Sequence, residues 1–144
     1  MNLIKSLASY FFTLAVFLFI DFIWLAIISK SFYQQHIGPL LTTNVNYFAA
    51  ISFYLIFVFA LLIFVVFPSY KTKSTFNLII KSLLFGLVTY ATYDLTNLAT
   101  LKNWPLIIAL IDLLWGMFIS LITSLSAYYF LNKFDNKEKN DKQN

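Results

Sequence analysis

The chain has 144 residues, 60% of them hydrophobic and 11% charged, with a net charge of +4. A soluble domain of this size keeps much of its chain at the water boundary and has no room for so much apolar side chain, so lipid is the solvent this composition selects. Cysteine is absent, which removes disulfides, thiolate nucleophiles and cysteine metal sites. The ten lysines fall between apolar runs, so topology accounts for them better than nucleic acid does.

Glycine and proline are scarce, at 3 each, against 17 phenylalanines. Long uninterrupted helices fit that usage. A membrane β-barrel would alternate apolar and polar residues, and the sequence shows no such alternation. Four runs reach the roughly 20 apolar residues a helix needs to cross the hydrocarbon. They cover about 7–28, 47–67, 76–98 and 106–131. The first resembles a signal peptide but is too long, carries Asp21 and lacks a small-residue cleavage site, so it reads as a retained anchor. The expected fold is an all-α integral membrane bundle of four transmembrane helices over 1–131. A polar tail, NKFDNKEKNDKQN, follows over 132–144 and is expected to be disordered.

The lysines give the bundle a direction. Lys5 precedes span one, Lys71, Lys73 and Lys81 flank the turn between spans two and three, and Lys133, Lys137, Lys139 and Lys142 follow span four. The opposite side holds only Lys30 and Lys102. The positive-inside rule therefore expects both termini in the cytoplasm.

Three of the acids lie inside spans. At about 1.5 Å per helical residue, Asp21 is about 10 Å below the outer end of span one, Asp112 about 10 Å below the outer start of span four, and Asp94 about 6 Å from the outer end of span three. All three fall in the outer half of the bilayer. In span three, Gly86, Tyr90, Asp94 and Asn97 share a face, with Thr89, Tyr93, Thr96 and Thr100 on the adjoining stripe. In span four, Asp112, Gly116, Ser120 and Ser124 recur every four residues, a small-residue face of the kind that lets membrane helices approach closely. Span one offers Tyr10, Thr13, Phe17, Asp21 and Trp24 on one side. Span two is almost wholly apolar and is expected to face lipid or a partner.

Two acids share a local pattern: IDFIW at 20–24 and IDLLW at 111–115 each place a tryptophan three residues after an aspartate. A large ring beside a carboxyl limits water and raises the cost of ionisation. A charged carboxylate at mid-helix costs roughly 3 kcal/mol or more on insertion scales, so it is kept when it is paired, protonated or useful. Three readings follow. The carboxyls staple helices by hydrogen bonds to Tyr90, Tyr93, Thr96 or Asn97, as in a structural or accessory subunit. They bind a cation, a proton or a polar lipid group. Or one of them is the acid or base of a membrane-embedded lipid-modifying enzyme.

The catalytic inventory is thin. His36, the single histidine, reads as a loop residue beside the Gly38-Pro39 turn. There is no Gly-rich phosphate loop and no Gly-x-Ser-x-Gly elbow. A magnesium or calcium site from the three aspartates is chemically allowed, but its spacing is not diagnostic. No cofactor and no resident metal is implied, and the chain is read as a binding or accessory protein ahead of an enzyme. The candidate binding residues are Asp21, Trp24, Tyr90, Asp94, Asn97, Asp112 and Trp115. The expected partners are the bilayer, a lipid or cation ligand and another membrane protein, with no nucleic acid.

YATYDLTNLATLKNWP at 90–105, followed by LIDLLWG at 110–116, resembles the bacterial family called domain of unknown function 2177. DFIWLAIISKSFY at 21–33 and FYLIFVFALLIFVVFP at 53–68 are similar to that family's N-terminal half and second span. The likeness covers nearly the whole chain apart from the tail. It implies a small four-span protein of the bacterial inner membrane and supplies no reaction. Carried over by position, the family motif falls on Asp21, Trp24, Asp94, Asn97, Trp104, Pro105, Asp112, Trp115 and Gly116.

Overall fold

The computed structural model describes residues 3–141, with side-chain surroundings for 3–136. Four helical segments, Leu3–Ile28, Tyr47–Lys71, Thr75–Thr100 and Leu106–Asn136, are each long and apolar enough to cross a membrane. Among the described residues there is no strand. The protein is an all-α membrane bundle. Its exposed Leu, Ile and Phe side chains, Phe48, Phe19 and Phe64 among them, form an outer coat that lipid covers without penalty.

Helix α1 covers Leu3–Ile23 and passes into a π-helical turn at Trp24–Ile28. There the Ser29 N–H and the Ser29 hydroxyl both donate to the Trp24 carbonyl, at 2.8 Å each. The wider turn ends span one and hands the chain to the short helix α2, Lys30–Ile37. α2 packs back over the bundle end: Ile37, Trp104 and Ile108 form a small apolar cluster with Phe32, Tyr33 and Leu98 against it.

Helix α3, Tyr47–Leu61, starts where the Asn46 side chain accepts the Ala49 N–H at 3.1 Å. A second π-helical turn at Leu62–Val66 leads into α4, Phe67–Lys71. Pro68 accounts for it. Proline has no N–H to give the carbonyl four residues back and clashes with it, and a widened turn relieves both problems. Helix α5, Thr75–Thr100, is capped by Ser74, whose hydroxyl accepts the Asn77 N–H at 3.2 Å. Among the described residues, two hold left-handed backbone, Lys73 in the turn before α5 (φ 51°) and Asn103 in the turn before α6 (φ 62°).

Helix α6 runs from Leu106 to Asp141. Pro105 comes just before it, and its carbonyl accepts the Ile108 N–H at 3.1 Å. The polar composition of the tail leads to an expectation of disorder, but residues 132–141 continue this helix. One anchor for the extension is visible: the Asp135 carboxylate takes both the Lys5 ammonium and the Tyr70 hydroxyl. Residues 142–144 lie outside the described part.

The tightest packing is between α5 and α6. A Cβ on Gly86 would meet the Gly116 carbonyl oxygen at 2.1 Å, and a Cβ on Gly116 would meet the Tyr90 ring at 2.3 Å. Below that crossing Ser120, Thr123, Ser124 and Ala127 are fully buried. The hydroxyls of Ser120, Thr123 and Ser124 have no hydrogen-bond partner, so close approach, not hydrogen bonding, is what these small residues contribute.

Span two departs from expectation. Phe57, Val58, Leu61, Leu62, Val65 and Val66 are buried and supply much of the main apolar core, around Phe17, Leu78 and Ile119. Only its other faces, with Ile56, Phe59 and Phe64, point outward. The span is apolar all round, so its sequence carries no sign of which side is inside.

Candidate functional site

Burial along α1 follows one stripe, Lys5, Ser9, Thr13, Phe17 and Asp21, spaced by fours. α5 buries Leu78, Ser82, Gly86 and Asp94, and α6 brings in Asp112. The three aspartates are 5%, 0% and 9% exposed for Asp21, Asp94 and Asp112 respectively. All three line one cavity of about 620 Å³. Trp24, Tyr90 and Trp115 line it with them. Asn97, a candidate from the sequence, is not among its lining residues. It lies one turn beyond Asp94, and its backbone carbonyl accepts the Leu101 N–H that closes α5.

Two of the acids are held. Asp21 accepts from the Tyr54 hydroxyl at 2.7 Å and from the Trp115 indole N–H at 3.2 Å. Asp112 accepts from the Tyr33 hydroxyl, which in turn accepts from the Trp24 indole at 3.3 Å. The Trp24 and Trp115 rings stack, with centroids 4.2 Å apart and planes 9° from parallel. The two Asp-x-x-Trp motifs are therefore crossed. The tryptophan of each serves the aspartate of the other, directly in one case and through Tyr33 in the other. Burial pushes the Tyr33 hydroxyl well above the usual tyrosine range, and the hydrogen bond and charge of Asp112 add to the shift, so Tyr33 stays a donor at any physiological pH.

Asp94 differs. It is fully buried, and both of its carboxyl oxygens lack a hydrogen-bond partner. The indole N–H of Trp104, on the same cavity, is also buried; it is the donor beside Asp94, but the two do not form a hydrogen bond of standard geometry. Trp104 meets the Tyr93 ring edge-on, with centroids 5.9 Å apart. Of the cations among the described residues, only Lys30 reaches the lining, and no ion pair among those residues joins it to an aspartate. Nor does any group of three His, Cys, Asp or Glu side chains converge as metal ligands among the described residues. The acids are spread around a space instead of focused on a point.

The threonine stripe of α5 has a plainer role. Thr89 and Thr100 donate to carbonyls four residues back at 2.8 and 2.7 Å, and Thr96 donates to the Thr92 carbonyl in the same way. Their hydroxyls are satisfied within the helix. Only Thr89 and Tyr93 of that stripe line the cavity. His36 is exposed, its Nδ1 at 2.9 Å from the Phe32 carbonyl.

Two contributors are absent from the sequence-derived site, Tyr33 and Tyr54; Lys30, which by sequence could reach inward to pair with an acid, lines the cavity without an ion pair to an aspartate among the described residues. Tyr54 carries a usable signal, as a hydroxyl-bearing ring in an otherwise apolar span. Tyr33 and Lys30 belong to the outer loop by sequence. What brings them to the site is the π-helical turn and the packing of α2, and neither has a signature in residue type.

The family model for domain of unknown function 2177, described as a predicted membrane protein, matches residues 6–129. No curated protein and no solved structure matches the chain. The matched region takes in all three aspartates and every residue of the crossed motifs, and the chain belongs to the DUF2177 family of predicted membrane proteins.

Proposed function

We propose that this is a multi-pass protein of the bacterial inner membrane, with both termini in the cytoplasm, that binds a cation, a proton or a polar lipid group. The ligand enters the cavity between Asp21, Asp94 and Asp112, in the outer half of the bilayer. The observation that carries this reading is the Asp94 carboxyl, fully buried, without a well-formed hydrogen bond and with the Trp104 indole N–H as its neighbouring donor, on the wall of a cavity large enough for a small molecule. A buried acid without a donor destabilises the protein that carries it. A ligand that supplies the donor, or a proton, removes that cost.

The lysine distribution supports the orientation. The test is co-purification. The full chain and its Asp94→Asn variant are extracted from native membranes in mild detergent, and the small molecules and lipids each retains are compared by mass spectrometry. A species held in near-equimolar amount by the unsubstituted chain and lost from Asp94→Asn is the expected result. Identical retention by both would remove the reading.

A structural role is the rival, and a specific observation favours it for two of the acids. Asp21 ties α1 to Tyr54 of α3 and Trp115 of α6, and Asp112 ties α6 to Tyr33 of α2. Asp94 makes no well-formed tie, its neighbouring donor being the Trp104 indole, so stapling explains two carboxyls better than the third.

A further inference from the structure

Resting on that binding reading, we propose that the ligand is an alkylammonium ion: a protonated amine carried on an apolar body. An acidic cluster alone would not support this. Its companion is the fully buried carboxyl of Asp94 on the cavity wall, which makes no well-formed hydrogen bond and has only the Trp104 indole N–H beside it as a donor. Three further features narrow the chemistry. The cavity holds about 620 Å³, far more than the roughly 30 Å³ of one water molecule, and no three acids converge among the described residues, so a bare metal ion is a poor fit. The walls beside the acids are aromatic: the stacked Trp24–Trp115 pair, Tyr90, and the Tyr93–Trp104 corner. Aromatic faces attract organic cations, and they do so more strongly where water is excluded. Finally, the lining carries three carboxyls against one lysine, so a positive ligand is preferred over a neutral hydrogen-bond donor of the same shape.

The ammonium donates to Asp94, with Asp21 and Asp112 nearby to balance its charge. Each of these two keeps acceptor capacity beyond the bonds it already makes, because a carboxylate has about four acceptor sites. Phe53, Phe57, Ile37 and Leu41 supply an apolar wall for the rest of the ligand. Such an amine comes either from a lipid headgroup or from a free amine.

The chain reports on its own cavity, because all 3 of its tryptophans line it. The full chain in uncharged maltoside micelles is titrated with octylamine hydrochloride, with octanol and with magnesium chloride, and tryptophan emission is read. Octylamine is expected to give a saturable change at a concentration at least tenfold below any response to octanol, with magnesium inert. Asp94→Asn shifts the octylamine midpoint upward at least tenfold, and Asp94→Glu restores it to within a few-fold. A second arm compares nanodiscs of phosphatidylglycerol with nanodiscs containing phosphatidylethanolamine. An emission change with the latter assigns the amine to a lipid headgroup, and its absence assigns a free amine.

If octanol matches octylamine, or if Asp94→Asn leaves the octylamine midpoint unmoved, the amine assignment is overturned while a ligand cavity stands. If nothing saturates, both the assignment and the binding reading fall. Should Asp94→Asn not fold, the octylamine–octanol comparison on the unsubstituted chain decides alone.

Discussion

Trp24 and Trp115 lie face to face, 4.2 Å between centroids and 9° from parallel, although 91 positions of sequence separate them. They join the end of span one to span four. Each indole N–H then points away from the stack to a different acid, Asp21 for Trp115 and, through Tyr33, Asp112 for Trp24. The stack closes one side of the cavity and fixes two of its three carboxyls. The third is left available.

That division predicts opposite effects of removing the acids. Asp21→Ala strands the Tyr54 hydroxyl and Trp115 indole, and Asp112→Ala strands the Tyr33 hydroxyl, so each lowers stability by about 1–3 kcal/mol. Asp94→Ala breaks no well-formed hydrogen bond, since the neighbouring Trp104 indole N–H does not reach standard geometry, and it removes a buried acid. It should leave stability unchanged or raise it by about 1 kcal/mol in ligand-free micelles. Thermal unfolding followed by loss of the monodisperse chromatographic peak checks the order of the three. Asp94→Ala as the least stable would contradict the assignment of Asp94 as the open group.

Replacing the indoles by a ring without an N–H separates stacking from hydrogen bonding. Trp115→Phe keeps an aromatic face against Trp24 but leaves Asp21 with Tyr54 alone, a loss of about 1 kcal/mol. The double variant Trp115→Phe/Asp21→Asn should cost less than the sum of the single changes, since the two residues share a bond. Additive losses would mean that the 3.2 Å contact contributes nothing.

The α5–α6 crossing gives a steric prediction. Gly86→Ala places a methyl against the Gly116 backbone, which cannot rotate aside as a side chain could. The helices must separate, at a cost of about 1–3 kcal/mol or more, and the cavity above the crossing is disturbed with them. Gly38→Ala is the control, because nothing lies within 4 Å of where its methyl would sit. Equal stability of the two variants would place the helices further apart than the structure has them.

How much of this is legible in the sequence follows from what each feature costs. Four long apolar runs are legible because backbone in lipid must satisfy itself. Asp21, Asp94 and Asp112 stand out because a carboxyl in hydrocarbon is expensive, and Gly86 and Gly116 because small residues on a face mark close approach. The buried side of span two is not legible: in lipid an outward and an inward phenylalanine look alike, so an all-apolar helix has no readable face. The helix at 132–141 is obscured for a related reason. Its composition is that of a solvated tail, and the Lys5 and Tyr70 contacts of Asp135 come from residues 130 and 65 positions away. Helical spacing to Asp94 points to Asn97 as a site residue, but the cavity ends before it.

The absence of cysteine makes the proposed orientation directly testable. Gln35 is exposed on α2, and Thr72 is exposed at the turn between spans two and three. A single cysteine at either position is the only thiol in the chain. In intact cells, with the outer membrane made permeable, a charged maleimide that cannot cross the inner membrane should label Gln35→Cys and not Thr72→Cys. After the inner membrane is disrupted, both should label. The reverse pattern would put the acids in the cytoplasmic half of the bilayer and turn the cavity inward. A ligand would then have to reach Asp94 from the cytoplasm.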